Sequence, residues 1–391
     1  LNLRGTEALP NVLIFREEML AMSETFIESQ ALSLATFKPI FIGLRRSRRN
    51  LALGAIPLLL VEQSWKVGYA RAMLYRALPI SPIFHKKALA ARASLIHAHF
   101  ALDGAVALTL QKKLNIPLVV SLHGWDITTS DEGFRRTARG RYFLAHRKAV
   151  WDRTAKFICV SKAIYSAALE AGIPEHKLVV HYTGIDLARF KPQPELKRDR
   201  ESILFVGRLV EKKGCEYLLR AVSLLQQRGV PVHATIVGNG PLRQNLEALA
   251  RNMAVPARFL GAQPKEEVSR LIATARVLCV PSVTAASGDR EGFGMVFAEA
   301  QAMGTPVVST VHSAIPEVVL DGRTGLLAPE RDPEALAACI SRFLNDDTFW
   351  SECSSSGIEH VRRHFGLAEQ ALKLEAIYTS VIAEHERETK A

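Results

Sequence analysis

The sequence predicts an α/β protein made of two Rossmann-like domains facing across a cleft. Three observations carry this expectation. At 391 residues the chain is too long for one ordinary core of ~100–200 residues. Short apolar runs rich in β-branched residues alternate with helical stretches in two successive series. A charged, proline-flanked stretch with no helical periodicity, residues 191–201, separates the two series and reads as the linker.

In the first series, residues 12–15, 95–99, 118–122, 157–160 and 178–181 read as strands. In the second, the strands are 203–206, 233–237, 257–260, 277–280 and 307–309. These runs lack strict alternation, as expected of parallel strands covered on both faces by crossover helices. Residues 333–345, 349–364 and 368–386 then have helical spacing with no strand between them, so three helices end the chain. The expected domains are 1–190 and 191–366. With 48% hydrophobic and 23% charged residues, the composition excludes a disordered or fibrous chain.

Fifty Lys and Arg against 39 Asp and Glu leave a net charge of +11, which points to nucleic acid, an anionic membrane or a phosphorylated ligand. The excess is not spread evenly. Residues 1–190 hold 26 basic and 14 acidic side chains, a net +12, and residues 191–391 hold 24 and 25, a net −1. Local clusters are Arg45-Arg46-Ser47-Arg48-Arg49, Lys86-Lys87 and Arg135-Arg136. The first adjoins the apolar run 51–61 and lies near the amphipathic stretch 65–77, a combination suited to an anionic membrane surface. Interleaved aromatics and a recognisable reading motif for nucleic acid are lacking, so no nucleic-acid partner is expected.

The five cysteines, Cys159, Cys215, Cys279, Cys339 and Cys353, are widely spaced without a C-x-x-C, which fits a reducing compartment and no zinc site. The run 51–61 contains Pro57 and is too short for the ~20 residues that a membrane span needs. With no signal-peptide pattern at the start, the expected location is cytoplasmic, peripheral on the inner face of the cell membrane.

The second half carries three glycine-marked turns after strands. Gly207-Arg208 through Lys213-Gly214 offers a guanidinium fork and an ammonium at a strand tip, as a pyrophosphate requires. Gly238-Asn239-Gly240-Pro241 lets backbone N–H groups approach a ligand. The third is Pro281-Ser282, followed by Glu291-Gly292-Phe293-Gly294-Met295 and Glu299. There the glycines leave the first amides of a helix open to an anion, Glu291 precedes the helix and can accept from sugar hydroxyls, and Glu299 can reach a ribose diol. In the first half, His123 sits at a strand tip before Gly124 and Asp126, facing the cleft. His97 and His99 share a strand face, but no third ligand stands at useful spacing, so no metal is expected there.

Arg208 and Lys213, Gly238-Asn239-Gly240, the E-x7-E of Glu291 and Glu299, and Pro316-Glu317 before Thr324-Gly325-Leu326-Leu327 occur in an order that resembles the retaining glycosyltransferases of family 4. The likeness covers roughly residues 12–345. It implies the two-domain B-type (GT-B) fold, with the C-terminal helix 367–391 crossing back to the N-terminal domain. It also implies that Arg208 and Lys213 hold the donor diphosphate, Glu291 the sugar and Glu299 the ribose, and that His123 contacts the donor sugar near the reacting carbon. Two turns depart from the pattern: Asn239 stands at a position often acidic, and Ala314 replaces a frequent glycine. Ser23-Glu24-Thr25-Phe26-Ile27 and His97-Ala98-His99-Phe100 are similar to segments of members that build exopolysaccharides, including those of the colanic-acid type. By that resemblance Ser23, Glu24, Thr25 and Asp126 are candidates for the acceptor side of the cleft. No D-x-D motif for a divalent metal is present, and no cofactor beyond a nucleoside-diphosphate sugar, a UDP-sugar, is expected. The implied acceptor is a saccharide or lipid-linked saccharide. A nucleotide-sugar epimerase of the same fold is the alternative enzyme, and a basic nucleic-acid-binding protein the non-enzymatic one.

Overall fold

The computed structural model describes residues 9–21, 24–47 and 56–390, the Trp65 side chain excepted. Ser23, Arg48, Arg49 and the first half of the run 51–61 lie outside the described residues.

Two parallel sheets build the chain. The first has β1 (Asn11–Met19), β2 (Lys38–Arg46), β3 (Leu58–Glu62), β4 (Ala93–His99), β5 (Leu118–Leu122), β6 (Lys156–Cys159) and β7 (Leu178–Val180), in the order β3-β2-β1-β4-β5-β6-β7. The second has β8 (Asp199–Val206), β9 (His233–Val237), β10 (Ala257–Gly261), β11 (Ala275–Cys279), β12 (Val307–Thr310) and β13 (Gly325–Ala328), in the order β10-β9-β8-β11-β12-β13. The inner strands are nearly continuous runs of buried Val, Ile, Leu and Phe because helices cover both faces. In each sheet the order reverses beside the first strand, at β1/β4 and at β8/β11. The crevice above such a reversal, at the carboxyl ends of the strands, is where a doubly wound sheet receives a ligand.

Three strands exceed the expectation. β2 begins on Lys38-Pro39, ends on two arginines and is broken by Gly43, so it does not read as an apolar run. β3 takes up the end of the run 51–61 and extends one residue past it to Glu62. β13 is only four residues long. The linker is also shorter than expected, since its last residues already belong to β8. The charge clusters are partly neutralised. Arg45 pairs with Glu18, and Arg135 and Arg136 pair with Asp131 and Glu132 one turn away.

The helix Pro333–Asn345 packs on the second sheet and Asp347–His364 packs on the helices beside it, but the last helix, Leu367–Lys390, leaves that domain. Its Leu374, Tyr378 and Val381 are buried with Val12, Ile14, Leu95 and Val119 of the first sheet. The return is fixed at Ile185, whose N–H donates to the Phe365 carbonyl at 2.7 Å and whose carbonyl accepts from Leu367 N–H at 2.9 Å.

Candidate functional site

The carboxyl ends of β8, β9 and β11 form one wall of the cleft. Gly207 follows β8, and the chain passes Arg208 into a single turn, Glu211–Lys213, before the helix Cys215–Gln227. After β9, Gly238 has φ of +133°, and a methyl group there would stand 1.9 Å from the Gly207 carbonyl oxygen, so the two turns pack backbone on backbone. Arg208 is exposed at this rim. Asn239 is engaged locally: its Oδ1 accepts from Arg243 Nη1 at 2.8 Å.

Lys213 points inward from the turn, and its Nζ donates to Glu291 Oε2 at 2.5 Å. Ser282, buried after β11, donates from Oγ to the same oxygen at 3.5 Å. Burial pushes the Glu291 carboxyl up, but the Lys213 and Lys212 ammonium groups outweigh it and hold the acid at about 2. The pair therefore stands ionised. A diphosphate reaching Lys213 would give the ammonium a second anionic partner, and Glu291 would then turn to hydroxyl donors for compensation.

Glu291 is itself held by residues that the sequence reading missed. Its N–H donates to His312 Nε2 at 3.2 Å, and its carbonyl accepts from Ser313 Oγ at 2.7 Å. His312 Nδ1–H donates in turn to Glu330 Oε1 at 2.6 Å, which fixes the imidazole tautomer. These three lie just past β12 and β13, and only the order of the second sheet brings them beneath Glu291. No local motif announces them.

The helix Met295–Ala302 starts at Gly294, with φ of +82°. Glu299 is half-buried, and burial raises its carboxyl to about 7 against the opposing pull of Arg189 and Lys265. Phe293 does not face the cleft as a donor-binding side chain would. It is buried in an aromatic cluster with Tyr182 and Phe365, its ring 5.8 Å and 5.2 Å from theirs, and contributes to the junction of the two domains. Gly292 also differs from expectation. A methyl on it would fall 1.9 Å from the His123 carbonyl oxygen, so this glycine permits the two domains to touch.

The opposing wall comes from β1, β4 and β5. His123 follows β5, with its ring against Phe100 at 4.5 Å and Phe26 at 5.1 Å. His123 Nε2 and His99 Nδ1 share a hydrogen bond of 3.0 Å. Behind them His97 bonds to Tyr378 Oη at 2.6 Å and to Ser121 Oγ at 2.7 Å. Burial, with Arg16 and His97 adding to it, holds the His123 pKa well below its usual range, so the ring is neutral at pH 7. Asp126 lies behind this wall and does not reach the acceptor side. It is fully buried, and its carboxylate accepts from the N–H groups of Ala101, His123 and Gly124, which fixes the His123 turn. Glu24 is also committed, to Arg16 Nη2 at 2.5 Å, and Arg16 pairs further with Asp103. Thr25 opens the helix Thr25–Leu32 and is half-buried.

The walls meet directly. Ser161 Oγ donates to the Gly292 carbonyl at 2.7 Å, and Arg290 N–H donates to Thr128 Oγ1 at 3.2 Å. Glu317, from the Pro316-Glu317 segment, crosses the cleft and accepts from Lys162 N–H at 2.8 Å and Ala163 N–H at 2.9 Å. It thereby caps the helix Lys162–Glu170 of the other domain, and Tyr182 Oη donates to the same carboxylate at 2.9 Å. The structure thus brings Lys213, Ser282, Glu291 and His123 to one cleft, with Arg208 at its rim.

Two parallel sheets closed on such a cleft define the two-domain B-type glycosyltransferase fold. Solved structures share it over nearly the whole chain. Anabaena HepE in complex with UDP and glucose matches with a TM-score of 0.75 at 18% identity, covering 95% of this chain and 100% of that one. Sucrose-phosphate synthase from Thermosynechococcus elongatus matches at 0.75 and 21%, covering 96% and 100%.

The chain belongs to glycosyltransferase family 4. Residues 46–189 match the model of Glycosyltransferase Family 4, and residues 200–346 match that of Glycosyl transferases group 1. Among its relatives is WcaL of Escherichia coli K12, named for colanic acid biosynthesis, 32% identical over 70% of this chain and 67% of that protein. Another is the amylovoran biosynthesis glycosyltransferase AmsK of Erwinia amylovora, 34% identical over 68% and 64%. The match spans about two thirds of the length of these relatives.

Proposed function

We propose that this chain transfers a glycosyl group from a UDP-hexose or UDP-N-acetylhexosamine to a saccharide or lipid-linked saccharide, with retention of configuration, in exopolysaccharide or cell-surface glycan synthesis at the inner face of the cell membrane. The observation that carries this reading is the largely buried Lys213–Glu291 pair at the carboxyl ends of the second sheet, within reach of the His123 turn of the first. The resemblance to WcaL and AmsK supports the glycan class, and the UDP and glucose held by HepE support the donor class.

In the transfer, the bond between the anomeric carbon and the diphosphate oxygen breaks and negative charge gathers on the leaving group. Arg208, Lys213, Ser282 and the first amides of the Met295 helix are the groups assigned to receive it, the protein's own cations serving where other transferases use a divalent metal. Lys213, Ser282 and the helix amides are held by the fold, so little reorganisation on their part opposes it. Glu291, freed from Lys213 by the diphosphate, accepts from sugar hydroxyls. Neutral His123 offers a hydrogen bond beside the reacting carbon and places no positive charge against the developing oxocarbenium. A retaining glycosidase would use a carboxylate nucleophile. The carboxylate nearest to His123 in sequence, Asp126, is instead bound to three backbone N–H groups. The family resemblance implies attack from the face that the diphosphate leaves, with a leaving phosphate oxygen taking the acceptor proton.

The test is a panel of nucleotide sugars, read first by thermal stabilisation and then by turnover with saccharide acceptors, the anomeric configuration being read by NMR. Stabilisation by one UDP-sugar with acceptor-dependent turnover is the expected result. Conversion of the donor without any acceptor would instead identify an epimerase.

A further inference from the structure

Of the thirteen large apolar side chains that stand exposed among the described residues, eight lie within residues 67–89. The helix Trp65–Ala77 turns Gly68, Ala72 and Tyr75 inward but also presents Val67, Met73 and Leu74 to solvent, where an ordinary surface helix would carry polar side chains. The face continues through Ile80 in the connection and Ile83 in the helix Pro82–Ala90, which are 75% and 74% exposed. The two helices form one platform: Tyr75 packs edge-on against Phe84, and its hydroxyl bonds to His85 Nε2 at 2.8 Å.

The charge around this platform has one sign. Between Glu62 and Asp103 the sequence contains no acidic residue and six basic ones. Arg71 reaches Glu62 at 2.9 Å, and Arg76 turns inward to Glu17 at 3.6 Å. Lys66, Lys86, Lys87 and Arg92 are exposed and form no ion pair among the described residues. A second copy of this chain docked by a two-fold axis would set these cations against themselves. An anionic bilayer surface accepts both halves of the pattern, apolar side chains at the acyl boundary and ammonium groups on lipid phosphates.

We propose that residues 65–92 dock on an anionic phospholipid bilayer. This deepens the proposed function, on whose membrane placement it rests, by naming the surface that meets the lipid. β3 ends at Glu62 and the helix begins at Trp65, so the platform starts on the edge of the sheet where the strands' carboxyl ends open into the cleft. Docking there sets the cleft beside the headgroup layer, where a lipid-linked saccharide presents its sugar.

The experiment is flotation of the full chain with vesicles of phosphatidylcholine alone or mixed with phosphatidylglycerol, at low and high salt. Binding is expected to the mixed vesicles only and to weaken with salt. Lys86→Glu/Lys87→Glu should lose at least about fivefold in affinity for each cation removed. Leu74→Glu/Ile80→Glu/Ile83→Glu, at exposed positions, should keep the thermal midpoint and lose at least about tenfold. Equal binding to neutral vesicles, or wild-type binding by the triple variant, would overturn the proposal. So would a wild-type dimer in light scattering that the triple variant turns into monomer, because a second copy would then be the occupant. Donor turnover on a lipid-free acceptor is measured in parallel. If it is absent in the wild type, the transferase reading fails while the binding result still stands on its own.

Discussion

Lys213→Ala separates the chemistry of the cleft from its stability. In the wild type Glu291 titrates at about 2 against an ordinary 4.5. At ~1.4 kcal/mol per pH unit, this difference corresponds to at most about 3.5 kcal/mol. Because the folded pKa is depressed, that contribution is present above pH 4.5 and is lost as the pH falls towards 2. Removing the ammonium leaves burial as the strongest influence on Glu291, so the variant carries a poorly compensated carboxylate at pH 7 that protonation relieves. The thermal midpoint of Lys213→Ala should therefore lie below the wild type at pH 7, and the gap should narrow towards pH 3. Adding Glu291→Gln should restore most of the midpoint at pH 7, because neither charge then remains. Turnover should follow a different pattern. Losing a positioned donor to transition-state charge costs about 10²–10³ in kcat, and the double variant should not recover it. Near wild-type turnover in Lys213→Ala would refute the diphosphate role, and a midpoint gap independent of pH would refute the electrostatic account of Glu291.

Three further outcomes are expected. Gly292→Ala should leave each domain folded but hold the cleft open, because its methyl meets the His123 carbonyl; turnover should fall by orders of magnitude, and small-angle scattering should report a larger radius of gyration. Glu317→Ala removes a cap worth about 1 kcal/mol that spans the domains; KM should rise with little change in thermal midpoint, and an unchanged KM would show that the cap does not favour closure. Glu299, which titrates at about 7, is a better acceptor for ribose hydroxyls once ionised, so donor affinity measured by calorimetry should improve from pH 6 to pH 8; Glu299→Gln should flatten that dependence.

Both sheets were readable from the sequence because buried parallel strands must be apolar on both faces, and β5 and β9 match their expected limits. β2 and β3 escaped for two different reasons. β2 starts on Lys and Pro, ends on two arginines and is broken by Gly43, and β3, at the edge of the first sheet, is hidden at the end of the longer apolar run 51–61. Lys213, Ser282 and Glu291 could be found because each follows a strand and a turn with glycine or proline punctuation. His312, Ser313 and Glu330 could not, since their role is to hold another residue's backbone and depends on which strands become neighbours. The same limit applies to Asp126 and Phe293. A residue type suited to a ligand was visible, but the direction of its side chain was not. Glu317 was visible as part of a motif, whereas the helix that it caps lies more than a hundred residues earlier in the other domain.

The return of the last helix also fixes how the cleft can move. The chain passes between the domains twice, once leaving near Lys191 and once coming back at Gly366, and at Ile185 the outgoing chain is hydrogen-bonded to the returning one. A single connection would act as a swivel, free to twist in any sense. Two connections pinned side by side act as a door hinge, permitting rotation about one line and resisting the rest. Each closure then brings the Gly292 turn back onto His123 in the same alignment, and a chain cut after residue 366 would keep both sheets but lose the second pin.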